Sequence, residues 1–407
     1  MYGIDGPYYI VQVRHIISYG CLKYLDPPLV FYMLIPFYIM FPDVMFGLKF
    51  GISLYVALTA ALLYMLFSRF NGSFGFMGFL AAMLSIFSPF TLRLATDFIK
   101  NAVGLLFIVL TLYAIFHVKR NRIAYTIILL SVVATSLSHI LDFGVLVALV
   151  TIMSVYTLLR FKGERVLLGR CRFALITSIV ILVVFLLYPQ IVGYDVRKLF
   201  SFVKDVVEEA DEKPLPVFSL ERSILAMIIG IGGLVYSTRR GDPKFLALIF
   251  SSSTLIIALN LPLIDVSWLF RFNLMCSILI PLILPLTLKT VKDTSVRSAI
   301  TLVILGFMIT LTIPMMMSIR PSIPLEEYEE LHKVFQIIPK NSTVIVPNTK
   351  LRYWVEALFE EGYNIVRKPQ YLPGENTYLL VELTPRHKIP PGKPIYTGKH
   401  ILLLKIR

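Results

Sequence analysis

A helix needs about twenty apolar residues to cross a hydrocarbon layer ~30 Å thick, because nothing in that layer satisfies an exposed peptide group. The 407-residue chain contains ten such runs: 44–68, 72–90, 98–118, 123–139, 141–160, 173–193, 220–237, 245–264, 266–288 and 298–318. An eleventh, 27–42, is short and carries Pro27, Pro28 and Pro36, which suits an interfacial or re-entrant helix better than a span. The pattern predicts an α-helical polytopic membrane protein of about ten transmembrane helices plus an interfacial helix. Composition agrees: 57% of residues are apolar and 16% charged, where a soluble domain has about 45–50% and about a quarter. A water-soluble enzyme, a disordered chain and a fibrous repeat are excluded.

The net charge is +14, but nucleic-acid binding would require basic residues collected on a solvated domain. Here they form short clusters between apolar runs: Lys119, Arg120 and Arg122; Arg160, Lys162, Arg165, Arg170 and Arg172; Arg239, Arg240 and Lys244; Lys289, Lys292 and Arg297. These loops alternate with loops poor in Lys and Arg, so they lie together on the cytoplasmic side. The acidic segment 195–219 and everything after residue 318 then fall outside. Counting back from Lys119 puts 91–97 outside, Arg69 inside and residue 43 outside. Three regions are expected: an extracytoplasmic first loop with interfacial helices (1–43), a transmembrane domain (44–318) and an extracytoplasmic domain (319–407). An external first segment with no helix before it and no signal peptide at Met1 leads us to expect a transmembrane helix missing from the N-terminus. The expected location is the cell membrane, multi-pass.

The last ninety residues are polar and periodic. They predict a small α/β domain with a helix at Leu325–Ile338, a strand at Thr343–Pro347, a second helix at Lys350–Glu361, and strands near 364–368, 378–383 and 401–406. Asn341-Ser342-Thr343 fits a glycosylation acceptor on the outer side. Cys21, Cys171 and Cys276 are scattered, without disulfide or zinc spacing.

Ionisable residues at the edge of a span are costly and therefore informative. Asp5 lies in the external N-terminal segment; Asp97, with Arg93, Lys100 and Asn101, lies in the next external loop. His139 and Asp142 form a tight external turn, and Asp265, Trp268 and Arg271 open another span from outside. Each has an ordinary reading: Asp5 as a turn residue, Asp97 as a helix cap, His139 as a buried imidazole bonded to a carbonyl, Arg271 as a snorkelling cation. Tyr8, Tyr9, Tyr19 and Tyr24 likewise suit an interfacial belt. What the ordinary readings leave unexplained is that all these groups share one depth.

Asp5-Gly6-Pro7-Tyr8-Tyr9, followed by Val13-Arg14-His15-Ile16-Ile17-Ser18-Tyr19-Gly20 and then Asp26-Pro27-Pro28-Leu29, resembles the first luminal loop of the GT-C superfamily of polyprenol-dependent glycosyltransferases. That loop lies between the family's first and second spans, in line with the missing helix. Thr96-Asp97-Phe98-Ile99-Lys100-Asn101 occupies the place of the second acidic residue of such enzymes, and the domain after the last span matches their plan. Two departures are a lone Asp in place of an acidic pair and the absence of Trp-Trp-Asp-Tyr-Gly, which argues against an oligosaccharyltransferase and favours a transferase of single sugars or an undescribed branch. The resemblance implies a sugar on a polyprenyl phosphate as donor, with an acceptor that is protein, lipid or glycan. Asp5 is then the expected base, and Arg271 and next Lys100 the cations facing the leaving phosphate. Tyr8, Tyr9 and His139 contribute to substrate binding. Asp97 orients a partner or joins Asp5 in holding Mg²⁺ or Mn²⁺, which two carboxylates permit but do not require. The competing expectations are a transporter or lipid flippase, and a non-catalytic glycan-assembly protein. Transporters place polar groups at the midplane, and here only Lys49 and Gly230–Gly233 interrupt the apolar runs.

Overall fold

A computed structural model describes residues 6–68, 75–188, 220–239, 241–261, 266–289, 291–368, 376–383 and 393–406. The chain divides into two compact units, one of residues 24–318 and one that joins residues 1–23 to 319–407.

The larger unit is helical. Its elements are α2 (Leu29–Met40), α3 (Val44–Ser68), α4 (Phe76–Ile86), α5 (Pro89–Asp97), α6 (Ile99–His117), α7 (Asn121–Ser138), α8 (Ile140–Arg160), α9 (Arg165–Leu187), α10 (Leu220–Ser237), α11 (Pro243–Leu259), α12 (Val266–Leu274), α13 (Cys276–Leu288) and α14 (Thr294–Ser318). Within the described residues, each of the ten expected runs is helical over most of its length. Among the described residues six unbroken helices, α3, α6, α7, α8, α9 and α14, are long and apolar enough to cross a membrane, or eight spans if each of two bent pairs counts as one. The stretches Ser223–Ser237 and Pro243–Leu259 are apolar but shorter. On α9 and α14 large apolar side chains face outward, with Ile176 59% and Leu302 70% exposed. Such a surface is stable only against lipid.

Two expected spans are each broken in two. The run 72–90 continues past its end as α4 and α5, bent by 49°, so the loop expected at 91–97 is helix instead. Pro89 at the first turn of α5 accounts for this, since its ring presets the helical φ and its missing N–H is one a helix start does not use. The break leaves the Phe87 carbonyl without its helical donor, and Thr312 Oγ1 of α14 donates to it at 2.7 Å. The run 266–288 is α12 and α13, bent by 46°.

At the end of the bundle where the basic loops lie, arginines close helix C-termini. The Arg170 guanidinium, 5% exposed, donates to the carbonyls of Ala114, Ile115 and Val118 (3.3, 3.0 and 2.6 Å), the last carbonyls of α6. Arg160 does the same for Ser237, Thr238 and Arg239 (2.7, 2.6 and 2.9 Å) beyond α10. Four carbonyls at each helix C-terminus lack helical donors, and a cation is well suited to them.

The second unit contains α1 (Gly6–Tyr19), α15 (Leu325–Ile337), α16 (Thr349–Phe359) and five strands: β1 (Thr343–Ile345), β2 (Asn364–Val366), β3 (Thr377–Glu382), β4 (Lys393–Thr397) and β5 (Ile401–Lys405). The sheet order is β2-β1-β3-β5-β4, with β1 parallel to β2 and β3, and β5 antiparallel to β3 and β4. α16 crosses over between β1 and β2. Within the N-terminal stretch expected to carry interfacial helices, Gly6–Tyr19 is the helix α1, which packs on α16. Arg14 donates to the carbonyls of Ala357 (3.1 Å) and Glu356 (2.5 Å) and pairs with Glu360 at 3.2 Å, while Lys23 pairs with Glu356 (3.3 Å) and Glu360.

Candidate functional site

Antiparallel packing of α6 on α7, and the one-residue turn from α7 into α8, bring two helix N-termini together. α6 opens with Ile99-Lys100-Asn101, and α8 follows its N-cap His139. Each terminus presents unsatisfied N–H groups and the positive end of a helix dipole, an arrangement that favours an anion. The imidazole Nδ1 of His139 accepts from the backbone N–H of Leu141 (3.2 Å) and from the Asn101 amide (2.8 Å). The same amide nitrogen donates to Asp142 Oδ1 at 3.3 Å. Asp142 is fully buried, and Gly104 one turn below Lys100 makes room for it: a Cβ there would lie 2.1 Å from Asp142 Oδ2.

Cations border this chain of polar groups. Lys100 and Arg271 lie near enough to His139 to act on its charge. Lys100 pairs with Asp26 and lies over the Phe31 ring, 5.8 Å from its centroid. Arg271 lies 4.7 Å over Trp268. Phe98 and Phe270, with ring centroids 5.8 Å apart, join the start of α6 to α12. The far half-helices of both bent spans, α5 and α12, therefore meet beside these N-termini. Backbone broken at membrane depth is tolerated where it lines a cavity or is buried in protein.

Of the expected residues, Lys100, His139 and Arg271 share this end of the bundle. Asp97 is the last residue of α5, buried at 4% exposure and ion-paired with Arg93 one turn earlier. It does not cap the helix that follows, because its carboxylate is turned back along its own. Tyr8 and Tyr9 lie in α1, in the other unit; Tyr8 accepts from Gln12 Nε2 at 2.9 Å and its ring meets that of Tyr353 at 5.0 Å. They pack there against a protein helix. Asp5 and Asp265 lie outside the described residues. Among the described residues no group of three or more His, Cys, Asp or Glu is placed to hold a metal ion. Asp26 and Gly104 were not singled out from the sequence as part of a site. Asp26 lies 74 residues from its partner, and a glycine within an apolar helix signals close approach without naming what approaches.

The family model described as 6-pyruvoyl-tetrahydropterin synthase related domain, membrane protein, matches residues 22–321. The chain belongs to this family. No curated protein matches its sequence. Among solved structures, the family member is similar to the archaeal oligosaccharyltransferase AglB from Archaeoglobus fulgidus in complex with an inhibitory peptide and a dolichol-phosphate. The TM-score is 0.57 at 14% identity, over 94% of this chain and 66% of that one. The Archaeoglobus fulgidus oligosaccharyltransferase in complex with Zn and sulfate gives 0.56 at 14%, over 94% and 64%. ArnT from Cupriavidus metallidurans bound to undecaprenyl phosphate gives 0.51 at 14%, over 75% and 59%. The chain thus spans just under two thirds of the length of these proteins. At such identity the likeness is one of fold: a multi-pass helical membrane domain with a small domain containing a sheet after the last span.

Proposed function

We propose that this chain is a membrane glycosyltransferase that moves a sugar from a polyprenyl-phosphate donor to an acceptor on the extracytoplasmic face. The observation that carries the reading is the convergence of Lys100, His139 and Arg271 with two helix N-termini at one end of a GT-C bundle, opposite the basic loops. Fixed cations and N–H dipoles are what a departing phosphate requires, because negative charge grows there as the bond to the sugar breaks. The acceptor's oxygen or nitrogen attacks the anomeric carbon, and the carbon–oxygen bond to phosphate breaks. The phosphate leaves with the electron pair, and the acceptor's proton passes to a carboxylate. Asp5 is the base that the family resemblance assigns. Asp97, held by Arg93, orients its surroundings. If a divalent metal takes part, Asp5 and Asp97 are the carboxylates that would hold it, and it would supply positive charge toward the leaving phosphate. The positive-inside pattern supports placing the 319–407 domain outside.

The test is transfer from a labelled polyprenyl-phosphate sugar by purified protein in nanodiscs. Arg271→Ala is expected to lower kcat by about 10²-fold, and Asp5→Ala to abolish transfer. Full transfer by Asp5→Ala removes Asp5 from the mechanism. Movement of the labelled lipid between leaflets with no transfer would favour the flippase alternative.

A further inference from the structure

Two features of the His139 environment go beyond a general anion site. Nδ1 is occupied twice, by the Leu141 N–H at 3.2 Å and by the Asn101 amide at 2.8 Å, and both groups can only donate. An atom that accepts two hydrogen bonds carries no proton, so the ring's proton resides on Nε2. The Leu141 N–H cannot be reversed, so it alone requires a bare Nδ1. The Asn101 amide nitrogen joins it there and also faces Asp142 Oδ1 at 3.3 Å. Asp142 is fully buried, and the absent side chain of Gly104 gives it its place. Among the described residues Nε2 has no hydrogen-bond partner, and residue His139 as a whole is partly exposed.

We propose that Asn101 and Asp142 are positioning residues that hold His139 in its neutral Nε2–H tautomer, leaving that N–H to donate to a phosphate oxygen of the bound lipid donor. His139 on this account is neither the acceptor's base nor a third cation. It is a directional donor set between Lys100 and Arg271, whose charges make a further cation costly. The ligand half of this proposal rests on the glycosyltransferase reading. The tautomer half does not.

The experiment is side-chain ¹⁵N NMR of full-length, histidine-labelled protein in nanodiscs, with the His139 signals assigned by their loss in His139→Gln. Wild type is expected to show protonated Nε2 and bare Nδ1 from about pH 6 to about pH 8, where an ordinary histidine changes charge. Asn101→Leu is expected to give mixed tautomers or imidazolium near pH 6; Asn101→Ser serves if the larger change does not fold. Asp142→Asn, which lets the Asn101 amide turn, is expected to mix the tautomers as well. An Nδ1–H tautomer or imidazolium in wild type, or an unchanged spectrum in both the Asn101 and the Asp142 variants, overturns the proposal. Adding dolichyl phosphate should shift the Nε2–H signal; binding seen by native mass spectrometry without that shift removes the donor role. If dolichyl phosphate does not bind at all, the lipid-donor reading falls with the ligand half, while the tautomer result stands or falls by itself.

Discussion

Gly104 decides where Asp142 can be. A methyl group at position 104 would sit 2.1 Å from Asp142 Oδ2 and 2.8 Å from its Cγ, inside any normal contact distance, so one of α6 and α8 must shift. Gly104→Ala should cost about 1–3 kcal/mol, the usual range for overpacking, read as a lower melting temperature in detergent. Gly104→Ala/Asp142→Ala should recover most of it, and failure to recover would place the strain elsewhere. A second buried carboxyl, Glu327 in the sheet-containing unit, is 2% exposed, and its Oε1 has no hydrogen-bond partner among the described residues. Burial first, and then the neighbouring Glu382, raise its pKa from 4.5 to about 7. The folded state therefore binds this proton more tightly than the unfolded chain does. The stability it confers is complete below about pH 4.5 and lost as pH rises through about 7. Glu327→Gln should flatten that loss, unfolding at a higher temperature than wild type near pH 8 but not near pH 4. Asp97 and His139 were visible as candidates because charge beside an apolar run is rare. Their partners Arg93 and Asn101 sat within sight in sequence, but pairing depends on which rotamers the packed helices leave open.

Elements were more legible than contacts. The apolar runs locate the helices of the membrane unit, though α9 begins at Arg165 rather than 173 and α5 fills the loop expected at 91–97. They did not show the bends at Phe87–Ser88 and at Met275, since hydropathy runs smoothly through both. Strand β4 was not expected at all. It is an edge strand, and it contains Pro394 and a register shift between Pro394 and Tyr396. Prolines of that sort are admitted only at sheet edges. Its turn into β5 is closed by a side chain from another element: the Glu330 carboxylate of α15 accepts from the backbone N–H groups of Lys399, His400 and Ile401 at 2.9, 3.1 and 3.0 Å. At the basic end of the bundle, Arg170 carries a comparable load for α6. Arg170→Ala should destabilise the membrane unit by about 2 kcal/mol, because buried carbonyls lose a charged donor. Arg170→Lys should restore less than half, since one ammonium cannot reach the positions a planar fork covers. Equal stability of the three proteins in denaturant titrations would show that water already serves those carbonyls. Part of the basic pattern that orients the chain is thus also a set of helix caps.

At the scale of the molecule, the alternation of basic and non-basic loops makes a prediction about sidedness. In a Cys21→Ser background, where the remaining thiols Cys171 and Cys276 are buried, a membrane-impermeant maleimide applied to intact cells should label Lys340→Cys and leave Lys292→Cys unlabelled. Labelling of Lys292→Cys alone would invert the topology and put the anion-favouring end inside. The N-terminal stretch shows how chain order and spatial order differ. α1 belongs with residues 319–407 because its apolar face meets α16 and Arg14 reaches the carbonyls at the end of that helix, over 300 residues away in sequence.

By itself the sequence determined the class of protein, the places of the spans and the clustering of charge at one end, because hydrocarbon enforces those features locally, residue by residue and run by run. The tertiary structure decided which charges meet across the chain, as Lys100 does with Asp26, and which nitrogen of His139 keeps its proton. Those outcomes depend on side chains from segments far apart in sequence meeting within about 3 Å, a distance that packing sets and no window of sequence contains.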